Sequence, residues 1–441
     1  MKKTLTKLLV TILALVTALT FVGCSMFIND NQNTGNGGGG VNPLPDSQVM
    51  SSAVYFETMD ASEREEDFTK SVAKVSRSTV AITVTGEGGI YYGSGVIVDI
   101  ITKDEAGNQI ETENEFYILT CHHLIDSQGQ ISVAVPDTNG RNAGDLNYNT
   151  AFTFTGVIDN KIHNDKAITL VGSDKETDVA VLKLDITGNI GGVKSSDIVP
   201  AKVCASDYTV TLGETVFAIG NPGGGLPGSV SRGIVSYIDR HQTISEVGEM
   251  VLFQHDATID HGSSGGGLFN LYGELIGITN AGSDSLNNIY YAIPYKNLTT
   301  ETDNGFINVA KQLISSKTET NYGYISGRWQ LGITIVERYD NFGATYVAVQ
   351  SVILGSNADK AGFKPGDIIV SVSYTDGGEK IESNVSGNNS FSGIVSALKK
   401  IYTIGDSFEV RIKRLEGNRY NYKNLTLTLS QQLIFCDTTM N

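Results

Sequence analysis

The sequence predicts a mainly β protein, with two six-stranded antiparallel β-barrels followed by a small α+β unit. Three observations carry this. From Ser78 onward, short runs of β-branched and aromatic residues follow one another with period two. Gly, Asn and Asp bound each run, and the chain holds 49 glycines. Its 441 residues exceed one ordinary domain, while 40% apolar content can fill more than one core.

Taken in order, the elements begin with an address. Lys2, Lys3 and Lys7 precede an apolar run, residues 8–22, of signal-peptide length. Residues 24–59 read as a tether, because four consecutive glycines among Asn, Gln and Pro cannot bury a core. Residues 60–74 then read as a short amphipathic helix, with Phe68, Val72 and Val75 at helical spacing. The first strand group comprises 80–84, 94–98, 116–120, 131–135, 151–158, 167–171 and 179–184. The second comprises 215–219, 230–238, 251–253, 266–269, 275–279 and 289–293. Polar residues 102–114 read as a surface loop, and a helix at 306–313 as the closure of the second barrel. The two-barrel domain thus covers 60–315. A separate unit at 322–436 mixes strands (346–352, 368–372, 408–413, 425–429) with helices at 357–361 and 391–401.

Bulk properties exclude some functions. A net charge of −16 leaves nothing to neutralise phosphates, so no nucleic-acid partner is expected. Beyond Cys24, the cysteines Cys121, Cys204 and Cys436 are too few for a disulfide framework. No CxxC pair occurs, and in a cluster of Cys121-His122-His123 with His255 or His261 the adjacent ligands on one strand would point to opposite faces. No metal or cofactor is therefore expected.

Three stretches carry chemistry together: YILTCHHLI (117–125), GSDKETDVAVLKL (172–184) and DHGSSGGGL (260–268). A serine hydroxyl is a poor nucleophile at neutral pH, so an imidazole must take its proton. An aspartate on the other ring nitrogen fixes the tautomer. His123, Asp178 and Ser264 supply these groups in the chain order His, Asp, Ser, that of chymotrypsin. The glycines let the amides around Ser264, those of Gly262, Ser263 and Ser264, face a developing oxyanion.

With GSGVIVD (93–99), LGETVFAIGNPGG (212–224), GIVSYIDR (233–240), QHDATIDHGSSGGGLFN (254–270) and GELIGITNA (273–281), the chain resembles the HtrA/Deg family of trypsin-fold proteases over about residues 72–429. The resemblance implies His123 as base, Asp178 as its orienter and Ser264 as nucleophile of a serine endopeptidase. It departs where Cys121 and His122 stand for two asparagines, Ser263 for another, and Gly267 for Pro or Ala. Thr258 stands where trypsin-like enzymes carry an acid. With Ile259, Ile278 and Thr279 it implies a pocket for small or medium aliphatic side chains.

The same family supplies further expectations. RWQLGITI (328–335), VQSVILGSNADKAGFKPGDIIVSV (349–372) and SGIVSALKK (392–400) resemble a PDZ domain. There Leu331, Gly332 and Ile333 would hold a peptide C-terminus while Ile394 and Leu398 line its groove. Phe21-Val22-Gly23-Cys24 resembles a bacterial lipoprotein cleavage box, implying an exported chain lipid-anchored through Cys24. Unfolded proteins as substrates, hydrophobic C-terminal peptides as ligands and a homotrimer are implied by the family. So is a resting oxyanion hole switched by a sensor loop, to which Arg240 corresponds. A catalytically silent peptide-binding scaffold and a chaperone are the competing readings.

Overall fold

The computed structural model describes residues 54–431, except 104–108, 111–113, 138–146, 160–161, 188–192, 298–303, 318–321, 353–355 and a few single or paired positions. The leader, Cys24, residues 25–53 and Cys436 lie outside the described residues. No helix among those described is long and apolar enough to cross a membrane.

Folded structure starts earlier than residue 60. Strand β1 (Val54–Phe56) buries Val54 and Phe56. The expected helix from residue 60 is split. Asp60 caps a single 3-10 turn at Ala61–Glu63, and α1 spans only Phe68–Val75 under an Asp67 cap. Each carboxylate accepts an early backbone N–H, which starts a new helix instead of extending one. Phe68 meets Phe217 edge-to-face at 5.4 Å, a contact that contributes about 0.5–1.5 kcal/mol beyond area burial.

The first barrel consists of β2 (Thr79–Gly86), β3 (Gly89–Val98), β6 (Glu115–Cys121), β7 (Gly129–Asp137), β8 (Asn147–Ile158), β9 (Ile168–Asp174) and β10 (Val179–Asp185). It closes in the order β10-β6-β3-β2-β7-β8-β9. It is thus seven-stranded rather than six-stranded, and a single parallel pairing, Gly156 with Ile168, joins β8 to β9. Between β3 and β6, β4 (Ile100–Lys103) and β5 (Gln109–Ile110) form a small sheet with β1, so part of the expected loop is strand.

The second barrel has six strands: β11 (Thr215–Gly220), β12 (Ser229–Ile244), β13 (Gly248–His255), β14 (Gly267–Asn270), β15 (Leu275–Gly282) and β16 (Tyr290–Pro294). After it, α3 (Phe306–Ser315) buries Phe306, Val309, Ala310 and Leu313. These join a core that also holds Val171, Val179 and Val181 of the first barrel. The helix packs on β9, β10 and β1, so it braces the two barrels instead of closing the second.

The C-terminal unit is built on β18 (Ile333–Tyr339), β19 (Thr345–Val352), β20 (Ile368–Asp376), β22 (Ser407–Glu416) and β23 (Arg419–Thr428) in that spatial order, with β21 (Glu379–Asn384) on β20. Helix α4 (Asn357–Ala361) starts at a Ser356 cap, and helix α5 (Asn388–Ile401) buries Phe391, Ile394 and Leu398 against the sheet. The preceding segment belongs to the barrels. Tyr322 and Ile325 lie in their cores, and Gly323 donates to the Val171 carbonyl at 2.6 Å.

Candidate active site

Register places the first two groups. β10 pairs with β6 so that Val179 faces Cys121. The residue before one strand therefore meets the residues after the other, and the His122 amide donates to the Asp178 carbonyl at 2.9 Å. There β6 gives way to a one-turn helix α2 (His122–Ile125). Asp178 adopts a left-handed conformation, φ 55°, which aspartate tolerates better than most residues.

The Asp178 carboxylate is fully buried and accepts from three donors. The His123 backbone amide lies 2.8 Å from Oδ1, His123 Nδ1 lies 2.7 Å from Oδ2, and Asn280 Nδ2 also donates to Oδ2. Burial raises the carboxyl pKa, but the charge and hydrogen bonds of His123 outweigh it and hold the group below its ordinary value. Its neighbour His122 faces elsewhere, with Nδ1 3.1 Å from Ser173 Oγ, and burial lowers its pKa. Of the two histidines, His123 is the one oriented by Asp178.

Ser264 comes from the second barrel, on the turn before β14. Its hydroxyl donates to the Asn280 carbonyl at 2.9 Å. One residue therefore touches Asp178 with its side chain and Ser264 with its backbone. A bulge in β15 between Thr279 and Ala281 permits this, since an extra residue re-aims the side chain at that point.

Ser94 ties this turn to the first barrel. Its amide donates to the Ser264 carbonyl at 2.8 Å and its hydroxyl to the Gly262 carbonyl at 2.8 Å. Gly262 has φ 91°, and a Cβ there would lie 2.3 Å from the Asn221 carbonyl oxygen, so glycine is required. Among the described residues, the amides of Gly262 and Ser264 donate no hydrogen bond within the chain. The Ser263 amide differs. It donates to the Asp260 carbonyl at 2.8 Å, which removes Ser263 from the expected oxyanion donors.

The expected pocket is also revised. Thr258 is exposed and Ile259 half-buried, but Ile278 and Thr279 are fully buried. The Thr279 hydroxyl donates inward to the Ser263 carbonyl at 2.7 Å, so it braces the serine turn and does not line a pocket. Arg240 stays within its own hairpin. Its Nε donates to Gln254 Oε1 at 3.1 Å, and its guanidinium stacks 3.8 Å from the Tyr237 ring centre.

In the C-terminal unit, Leu331, Ile333, Ile394 and Leu398 line one apolar pocket with Phe391 and Val395. Gly332, φ 77°, forms the turn before β18. Another link was not foreseen. Arg328, 2% exposed, has its Nε 3.5 Å from Asp174 and its other arm on Glu176, which also pairs with Lys399 of α5. Asp174 and Glu176 belong to the turn that delivers Asp178.

Asn280 and Ser94 are the functional residues that sequence reading missed. Both lie in the resembling strings, yet their roles need the two barrels to meet. Asn280→Ala removes a donor from a buried charge, a loss of about 1.5–3 kcal/mol. If felt in the transition state, this lowers kcat by about 10–100-fold. Single-turnover kinetics on a peptide substrate measures the effect.

Comparison with known proteins follows this geometry. Residues 93–278 match the model of the trypsin-like peptidase domain family. The chain is 32% identical over 290 residues to the periplasmic serine endoprotease DegP of Escherichia coli strain K12, covering 64% of this chain and 48% of that protein. It is 30% identical over 337 residues to the serine protease Do-like HtrA of Bacillus subtilis strain 168, covering 73% and 60% respectively. A solved serine endoprotease from Yersinia pestis is 23% identical, with TM-score 0.40 over 83% of this chain and 98% of that chain. The chain spans about half the length of the first curated relatives it matches.

Proposed function

We propose that this chain, which belongs to the HtrA/Deg family of serine proteases, is an exported serine endopeptidase that cleaves unfolded or misfolded proteins of the cell envelope. The observation that carries the reading is the convergence of His123 and Asp178 from one barrel with Ser264 from the other, linked through Asn280. In the reaction, Ser264 Oγ leaves the Asn280 carbonyl, gives its proton to His123 Nε2 and attacks the scissile carbonyl. Asp178 holds the imidazolium that forms. The amides of Gly262 and Ser264 receive the oxyanion, which collapses to the acyl-enzyme as the peptide C–N bond breaks and His123 Nε2 gives its proton to the departing amine. Water, deprotonated by His123, then hydrolyses the acyl-enzyme and restores the Ser264 hydroxyl.

Thr258 and Ile259 support a pocket for aliphatic side chains. Digestion of an unfolded protein, with cut sites mapped by mass spectrometry, is expected to show cleavage after Val, Ala, Ile or Leu. A dominant preference for Arg or Lys sinks the specificity, and no cleavage at all sinks the peptidase.

The C-terminal unit is read as a PDZ domain that takes hydrophobic C-terminal peptides and regulates the site. The leader and Cys24 support a lipid anchor on the outer side of the cell membrane, and family membership supports a trimer. Among the described residues Arg240 meets Gln254 and Tyr237 of its own hairpin, whereas Glu176 is bonded to both units, so we assign the coupling to Glu176. Both Arg328 and Lys399 hold this residue two positions before Asp178. Coupling needs an interaction that differs between two states, and this ion pair is one that groove occupancy can alter. Glu176→Gln is expected to reduce stimulation by a hydrophobic C-terminal peptide at least ~5-fold. Arg240→Ala is expected to leave it intact. Unchanged stimulation in Glu176→Gln refutes the route.

A further inference from the structure

Beside the triad lies a thiol that proteolysis does not use. The Sγ of Cys121, a ring nitrogen of His123 and a carboxylate oxygen of Asp178 all lie within 4.8 Å of one another. Cys121 and His122, adjacent on a strand, point apart, the ground on which no metal site is expected from the sequence. Cys121 and His123 are two residues apart, across the end of β6 and the start of α2, and both reach Asp178. Cys121 is fully buried, with Sγ 3.5 Å from the Thr279 carbonyl. In the same corner Asn280 Oδ1 is buried without a hydrogen-bond partner.

We propose that Cys121, His123 and Asp178 form a binding site for a thiophilic divalent cation of the zinc and cadmium class, and that its occupancy switches the peptidase off. The donor set suits such an ion, since thiolate, imidazole and carboxylate are its usual ligands. Tetrahedral coordination holds ligand atoms about 3.3–3.7 Å apart, so the widest pair must close by up to about 1 Å, while His123 Nδ1 and Asp178 Oδ2, 2.7 Å apart, must open by about half that. Charge also favours it. One dication against a thiolate and a carboxylate leaves a neutral cluster, which burial tolerates better than a lone carboxylate. Asn280 Oδ1 offers an oxygen for the fourth position. His123, whose side chain is 24% exposed, marks the way in from the cleft.

Binding releases one proton, from the Cys121 thiol to solvent. The cation takes the lone pair of His123 Nδ1, and the ring proton moves from Nδ1 to Nε2. Nε2 then carries hydrogen where it must accept one from Ser264, so the base is disabled without any change in Ser264.

The test titrates cadmium into the full chain carrying Ser264→Ala and follows the thiolate-to-cadmium absorption band in the ultraviolet. A band that saturates at one ion per chain is expected. It should vanish on adding Cys121→Ala and persist on adding Cys204→Ala. Cys121→Ser, which keeps a donor for the Thr279 carbonyl, replaces the alanine variant if circular dichroism shows that variant unfolded. A band that survives loss of Cys121, or no band at all, overturns the proposal. In the Ser264 chain, zinc should inhibit peptide cleavage, and the half-inhibiting concentration should rise at least ~100-fold in the Cys121 variant. This inhibition arm rests on the peptidase reading and the absorption arm does not. A Cys121-dependent band without cleavage refutes the enzyme and leaves the site; cleavage without the band does the reverse.

Discussion

Ser264→Ala is expected to leave the chain folded and, on the proposed function, to lower peptide cleavage by about a million-fold, the scale that nucleophile removal sets in serine proteases. The hydroxyl makes one hydrogen bond, to the Asn280 carbonyl, so its loss costs about 1 kcal/mol of stability. The variant and the parent should therefore melt within a few degrees of each other while differing wholly in a fluorogenic peptide assay. The same pair separates the competing readings. A silent scaffold binds C-terminal peptides and never cleaves in either form. A chaperone protects unfolded clients equally in both. Cleavage by the parent that persists in Ser264→Ala removes Ser264 as nucleophile.

Asp178→Asn is the second large effect, a fall of about 10⁴-fold in kcat. An amide replaces one of the two accepting oxygens by NH₂, which must then face a donor: the His123 backbone amide on one side, or His123 Nδ1 and Asn280 Nδ2 on the other. The imidazole adopts the wrong tautomer and Ser264 loses its base. Stability against pH supplies an independent readout. The Asp178 carboxyl lies below its ordinary value in the folded chain. Its stabilisation is therefore complete above the ordinary carboxylate range and is lost as pH falls through the depressed value. Urea midpoints of the parent should drop more steeply in acid than those of Asp178→Asn. Parallel pH profiles would show that Asp178 does not carry the linkage.

Much of the fold was legible because alternation is local. Runs such as VAVLKL of β10 announce a buried strand within six residues, and Gly, Asn and Asp mark the turns. His123, Asp178 and Ser264 stood out as candidates for a related reason, since each sits in its own short string. What escaped depends on contacts between distant segments. Val54–Phe56 became a strand only through pairing with residues 100–102, which no local pattern in a tether shows. Thr279 was misplaced because the bulge at Asn280 shifts which side chains face the site. Ser263 was misassigned because its amide closes a turn onto Asp260, a bond that glycine-rich composition does not reveal. Ser94, in an ordinary GSG run, gains its role only where the barrels meet.

Arg328 has a consequence for how this chain can diversify. Residues 322–328 occupy the barrels, and their last member sits between two carboxylates on the turn of Asp178. A C-terminal unit acquired by recombination at residue 322 would discard that cation and strand a buried acidic turn, a loss of about 3–5 kcal/mol. Joined after residue 328, the exchange keeps the cation and forfeits the Lys399 contact. The seam at which this protein can exchange its C-terminal unit therefore lies between Arg328 and Trp329.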